Sequence, residues 1–374
     1  MATWQATRTS SRRAHNVGGD ERLATTLLQI VDLGLWSIIF IGPHLFGGRH
    51  PLGHFAILSC CVFTAVTWFA RQLWIKKSPG FSTPAVWLFA VATAWVAFQL
   101  VPLPHEWLSK LAPRINEILP LWNGPNASAP SLGTWQTVSL CPEETRSSLA
   151  TLMAYGLLFI TTVQRLETIE AIKRIVRWIG ISATIVACFG IVQYFTANGK
   201  FFWFYDYPFV DTKDSFKAGF TSRNHFAHFL VLGLSALVAS AVLKRNPVRE
   251  DHTSSRQRRK SVVGSPGHHS SCLVLTVAAV IVTYAILASL SRGGLLAMTA
   301  SGVVLTLIYA KASLLNSGHA LSAGFLIIVV VVALSITGTY DKLAQRVDSL
   351  SSTSLEIVDS GGGRRSIWQA NLAA

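Results

Sequence analysis

An all-α, multi-pass transmembrane helical bundle is what this sequence predicts, on three observations. Charged residues make up 13% of its 374 positions, against about 25% in soluble chains. Apolar residues make up 51%, with 12 Trp among them. The apolar residues also gather in stretches near the roughly 20 residues that a helix needs to cross about 30 Å of hydrocarbon. A chain this poor in charge cannot readily cover a soluble surface, which argues against an ordinary cytosolic enzyme. The same numbers exclude collagen, a coiled coil and wholesale disorder. The Cys residues, at 60, 61, 141, 188 and 272, show neither C-x-x-C nor metal-ligand spacing, so no disulfide framework is in evidence.

About nine stretches approach the required length. Helices apolar on every side carry no amphipathic signal, so length and flanking charge identify them. A polar, basic segment, 1–22, precedes the first stretch at 23–46, which is too long for a signal-peptide core. The two read as a cytoplasmic tail and a signal anchor. The second and third stretches lie at 52–69 and 84–101, and Pro102 and Pro104 end the third. An outer loop, 102–147, leads to the fourth at 148–163. Residues 166–178 mix Glu167, Glu170, Lys173 and Arg177 with Ile169, Ile172 and Ile175, the composition of an interfacial helix leading into the fifth stretch at 175–196. A second outer loop, 197–223, precedes the sixth at 226–243. A basic cytoplasmic loop, 244–271, separates it from the seventh at 272–290. The eighth and ninth follow at 295–310 and 321–337. The membrane domain is thus 23–338, and 339–374 begins a further outer loop. No internal repeat is visible, which weakens a transporter built from inverted halves.

Charge sets the orientation. With the N-terminus in the cytoplasm, the inner segments carry Arg8, Arg12, Arg13 and Arg22, then Arg71, Lys76 and Lys77. Arg165, Lys173, Arg174 and Arg177 follow, then the run from Lys244 to Lys260, then Lys311. Most outer charges sit in the long loops and the tail, where the positive-inside rule has little force. The formal net charge of +14 therefore reads as a topology signal near anionic membrane lipid, and not as a nucleic-acid surface.

Charges in or beside hydrocarbon are functional candidates, because each costs about 2.5–3.5 kcal/mol on insertion scales. Two stand out in or beside the apolar stretches. Asp32 lies within the first span; its bland reading is the partner of a neighbouring helix's Arg or a backbone donor. Arg292 lies in Leu290-Ser291-Arg292-Gly293-Gly294 at the outer face, and its bland reading is a snorkelling turn residue. The segment 217–229 brings Arg223, Asn224, His225 and His228 to the start of the sixth span. A helix N-terminus offers unsatisfied N–H donors and positive dipole, so this is a candidate anion site. The bland alternative has Asn224 as a cap and both His in the interface. A third outer cluster is Gly361-Gly362-Gly363-Arg364-Arg365-Ser366-Ile367-Trp368, which alone would be a solvated loop. Together these Arg-bearing segments suit a diphosphate, which guanidinium forks bind bidentately at any relevant pH. No Walker loop, His-Glu-x-x-His, Gly-x-Ser-x-Gly or zinc spacing appears, and no metal or cofactor is implied.

Several of these stretches resemble one family. Gly219 to Ala227, with Asn224, resembles the Gly-x-x-x-x-Asn-x-x-Ala element of the O-antigen ligase and O-antigen polymerase superfamily. Ser291-Arg292-Gly293 resembles its Ser-Arg-Gly turn, and Gly363-Arg364 with Trp368 its Gly-Arg-x-x-x-Trp element. Val101-Pro102-Leu103-Pro104, and Ser139-Leu140 with Pro142 and Thr145, are similar too. The resemblance implies a GT-C-like helical fold in a bacterial inner membrane. It implies glycan transfer at the periplasmic face from a polyprenyl-pyrophosphate-linked donor to a lipid or glycan acceptor hydroxyl. Arg292 and Arg364 would neutralise the departing pyrophosphate, with Arg223 as a further contact and Asn224, Arg365 and Asp32 in support. The family's base is a His in a large loop beyond the Gly-Arg-x-x-x-Trp element. No outer His here matches it, so the catalytic group stays unassigned, with His225 as the candidate. The chain ends at Ala374, just past that element, and is expected to be the front part of a longer family member. Two other readings stay open: a transporter or flippase of a lipid-linked or anionic substrate using Asp32 and the Arg residues, and a non-catalytic truncated membrane protein.

Overall fold

The computed structural model describes residues 2–76, 83–111, 137–208, 212–213, 216–245 and 266–311. The expected ninth span, the loop 339–374 with Arg364 and Arg365, and most of the basic loop 244–271 lie outside the described residues.

The described chain is helical: α1 (Ala2–Phe40), α2 (Pro51–Trp74), α3 (Pro84–Phe98), α4 (His105–Leu111), α5 (Pro142–Arg165), α6 (Ile169–Phe195), α7 (Arg223–Arg245), α8 (Pro266–Ala288) and α9 (Arg292–Lys311). Among the described residues the β-structure is a single isolated bridge, Phe201 to Tyr205. Proline opens α2, α3, α5 and α8, where its missing N–H and fixed φ cost nothing. Glu143 and Glu144 follow Pro142 in the first turn of α5, as the helix dipole favours.

Six of the described helices are long and apolar enough to cross a membrane, and Pro84–Phe98 and Leu273–Ala288 are shorter apolar helices. Their outer faces are apolar as well. On α3, Trp87, Leu88, Val91 and Trp95 are exposed and no residue is buried, the surface of a helix solvated by lipid. Two helices begin before the expected spans. The first helix starts at Ala2, well before residue 23. Residues 169–178 and the fifth span form one unbroken helix to Phe195, and the Thr168 side chain, which accepts the Ala171 N–H at 3.2 Å, caps its start.

The chain forms two compact units. Among the described residues, the first comprises 2–32, 58–76, 83–111 and 137–165. Within it α3 packs on α5, where Gly156 admits the Phe89 ring: a Cβ at that position would lie 1.9 Å from it. The second comprises 33–57 and the described residues of 166–311, and its core joins α6, α7, α8 and α9. Here Gly180 meets Leu237, Ala183 meets Gly233, and Gly190 meets Phe226. The order of these pairings makes α6 and α7 antiparallel, and small residues let their backbones approach.

Candidate functional site

The second unit has one end where chain reversals gather. Residues 41–50 follow α1, residues 196–222 join α6 to α7, and residues 289–291 join α8 to α9. Phe46 lies among Phe201, Phe202, Tyr205 and Tyr207, edge-on to Phe202 and stacked on Tyr207, and His44 meets Phe189 edge-on. His50 Nε2 lies 3.0 Å from the Tyr205 hydroxyl. With its amide turned to suit both neighbours, Gln193 donates to Ala218 O at 2.9 Å and accepts from Phe202 N at 3.3 Å. Lys217 is buried, its Nζ 5.2 Å above the buried Phe201 ring. This end also stores backbone strain. Phe46, Phe202, Trp203, Ala218 and Leu290 all adopt positive φ between 49° and 67°. Such conformations cost of order 1–3 kcal/mol each and cluster at functional sites.

Against that end stand the first turns of α7 and α9. Both follow the same local rule: a serine caps, and an arginine takes the first helical position. Ser222 Oγ accepts the Asn224 N–H at 3.3 Å, and Ser291 Oγ accepts the Gly294 N–H at 3.0 Å. The hydroxyl of Ser291 donates in turn to Asn224 Oδ1 at 2.8 Å. Close contacts continue along both helices: a Cβ on Gly294 would come 2.5 Å from Ala227 Cβ, and one on Gly293 would come 3.3 Å from His228 Nε2. Asn224 meets Ser291 and Ala227 meets Gly294 in the same order, so the starts of α7 and α9 run parallel and their N-termini lie side by side.

The electrostatics follow from that geometry. Each N-terminus carries roughly half a positive charge, and a cation placed there is disfavoured by about 0.3–1 kcal/mol. Neither helix has an acidic residue in its first turn, and each begins with an arginine, Arg223 or Arg292. Both arginines are half-buried. The usual preference for acidic residues at a helix start is thus not followed at either of these two adjacent starts.

The sequence candidates divide as follows. Arg223, Asn224 and Arg292 come together, through the bond between Asn224 and Ser291. His225 is exposed and one residue further round α7. Arg364 and Arg365 lie outside the described residues. Asp32 belongs to the first unit and makes a bidentate pair: Arg165 Nε and Nη2 donate to its two carboxylate oxygens at 2.8 Å each. Beside it, Trp68 Nε1 donates to Gln164 Oε1 at 2.7 Å, and Arg71 Nε donates to Ala24 O at 3.1 Å. Asp32 thus has the neighbouring helix's arginine as its partner. His228 stood beside His225 as a sequence candidate; its place beside Gly293, the bond from Ser291 to Asn224 and the burial of Lys217 come from the tertiary structure. Ser291 was the most legible, since Ser before an Arg-Gly-Gly helix start is a capping signal.

No family model, curated protein or solved structure matches the chain. The chemistry of the site therefore rests on its own geometry. Among the described residues no three His, Cys, Asp or Glu side chains gather to hold a metal ion. What the arrangement offers is paired cationic helix ends with hydroxyl, amide and imidazole groups alongside, suited to holding a phosphate-bearing group.

Proposed function

We propose that this chain transfers a glycan from a polyprenyl-pyrophosphate-linked donor to an acceptor hydroxyl, in the manner of an O-antigen ligase or polymerase. The observation that carries the reading is the hydrogen bond from Ser291 to Asn224. It ties together two of the motifs on which the resemblance rests, although they lie far apart in sequence. In this reading Arg292 neutralises the diphosphate as it leaves, and Arg223 on the adjacent helix end assists. Arg364 and Arg365 join them on the strength of the sequence. The acceptor is a lipid-borne or glycan hydroxyl, and the reaction proceeds without nucleotide or metal. The same proposal includes about nine spans in a GT-C-like bundle, the N-terminus in the cytoplasm of a bacterial inner membrane, and the Arg-bearing end at its periplasmic face. Long apolar helices and the lysine and arginine distribution support that placement. The transporter reading drew on Asp32, and the pairing of Asp32 with Arg165 accounts for that charge without a transport path.

Membranes carrying the full chain, given a polyprenyl-pyrophosphate glycan and an acceptor lipid, are expected to form the transferred product. Arg292→Ala is expected to lower kcat by about 10²- to 10³-fold, as loss of one transition-state donor does, at an unchanged level of protein in the membrane. Equal transfer by wild type and Arg292→Ala removes the role assigned to that arginine. Absence of transfer by the wild type removes the reading itself.

A further inference from the structure

We infer that His228 is the proton acceptor of this site, an assignment that rests on the transfer reading above. Helical spacing sets which side chains of α7 face α9. Asn224 and His228 are four residues apart on α7 and share one face, and Ala227 belongs to the same face. Each meets the first turn of α9: Asn224 bonds to Ser291, Ala227 meets Gly294, and His228 reaches Gly293. His225 is about 100° further round the helix from Asn224, exposed and off that contact. Of the two imidazoles, His228 is therefore the one beside the turn that carries Arg292.

Gly293 has a specific part in this. A Cβ there would stand 3.3 Å from His228 Nε2, tighter than ordinary contact, so glycine leaves room for the ring against the α9 N-terminus. The ring remains exposed, so an acceptor hydroxyl can reach it. Imidazole is the side chain that ordinarily exchanges protons near neutral pH. The step then balances. The acceptor hydroxyl gives its proton to His228 Nε2 while its oxygen forms the new bond to the anomeric carbon. The bond from that carbon to the diphosphate oxygen breaks, and the electron pair departs on the polyprenyl diphosphate, held by Arg292. The imidazolium then returns its proton to water.

The test uses membranes with the full chain and the polyprenyl-pyrophosphate donor, measuring kcat and KM across pH. His228→Ala and His228→Gln are expected to lower kcat by about 10²- to 10⁴-fold, the usual share of general base catalysis. The donor KM should stay within a few-fold of wild type, the acid limb of the pH profile should vanish, and added imidazole should restore part of the rate to His228→Ala. Gly293→Ala, which crowds the ring, should lower kcat at an unchanged protein level. An active wild type matched by His228→Ala overturns the assignment and leaves the transfer reading standing. So does a loss in His225→Ala with His228→Ala unaffected, or a loss in His228→Ala confined to KM and deaf to imidazole. A wild type with no transfer overturns both.

Discussion

Asp32 shows how a single residue's meaning depends on its partner. A carboxylate inside an apolar span is costly alone. Paired bidentately with Arg165, with side chains 24% and 15% exposed, it becomes a staple between helices. Removing one partner of a buried pair costs about 3–5 kcal/mol, whereas replacing both by apolar groups can be nearly neutral. Arg165→Leu is therefore expected to lower the thermal midpoint of the detergent-solubilised protein, and Asp32→Leu with Arg165→Leu to recover most of the loss. A double variant as unstable as the single would contradict the pairing. Ser291 poses a similar question at the other unit. Its one hydroxyl caps α9 and donates to Asn224, so Ser291→Ala removes both bonds. Loss of such a cap costs about 0.5–2 kcal/mol, and the two helix starts would lose their tie. Ser291→Ala should lower transfer and stability together, while Ser291→Thr, which keeps the hydroxyl, should retain most of each.

Among the elements, close approach of helices is set by glycine where lipid offers no hydrophobic drive between them. At Gly233 a Cβ would lie 1.9 Å from Ala183 Cβ, so α6 and α7 would have to separate. Gly233→Ala is expected to destabilise by about 1–3 kcal/mol, the usual cost of overpacking. Gly302 makes the control, since nothing lies within 4 Å of a Cβ there. Gly302→Ala should leave the thermal midpoint unchanged or raise it, by up to about 1 kcal/mol in stability from helix propensity. Melting curves of the purified variants check both. The helices themselves were legible in the sequence because hydrocarbon demands a fixed length of apolar chain. Their ends were less so. The segment 166–178 mixes charges and isoleucines as an interfacial helix would, yet Thr168 caps one helix that continues to Phe195. Composition reports where a helix meets water, and the cap decides where its backbone begins.

For the whole molecule, orientation is a property of charge distribution and not of packing. Reporters fused after Lys260 and after Gly363 are expected to report opposite sides of the membrane. Reporters on one side would reverse or break the proposed topology. Low charge and long apolar stretches by themselves determined that this is a helical membrane protein, since no other solvent tolerates such a surface. They also marked Arg223, Asn224 and Arg292 as residues in unusual places. Only the tertiary structure decided which of these meet. The parallel start of α7 and α9 turned two distant Ser-Arg steps into neighbours, brought His228 to Gly293, and matched Asp32 with Arg165. The reason is physical. Transfer from water depends on the composition of each segment and is written locally, whereas a contact between helices depends on how two faces turn toward each other, which no single segment records.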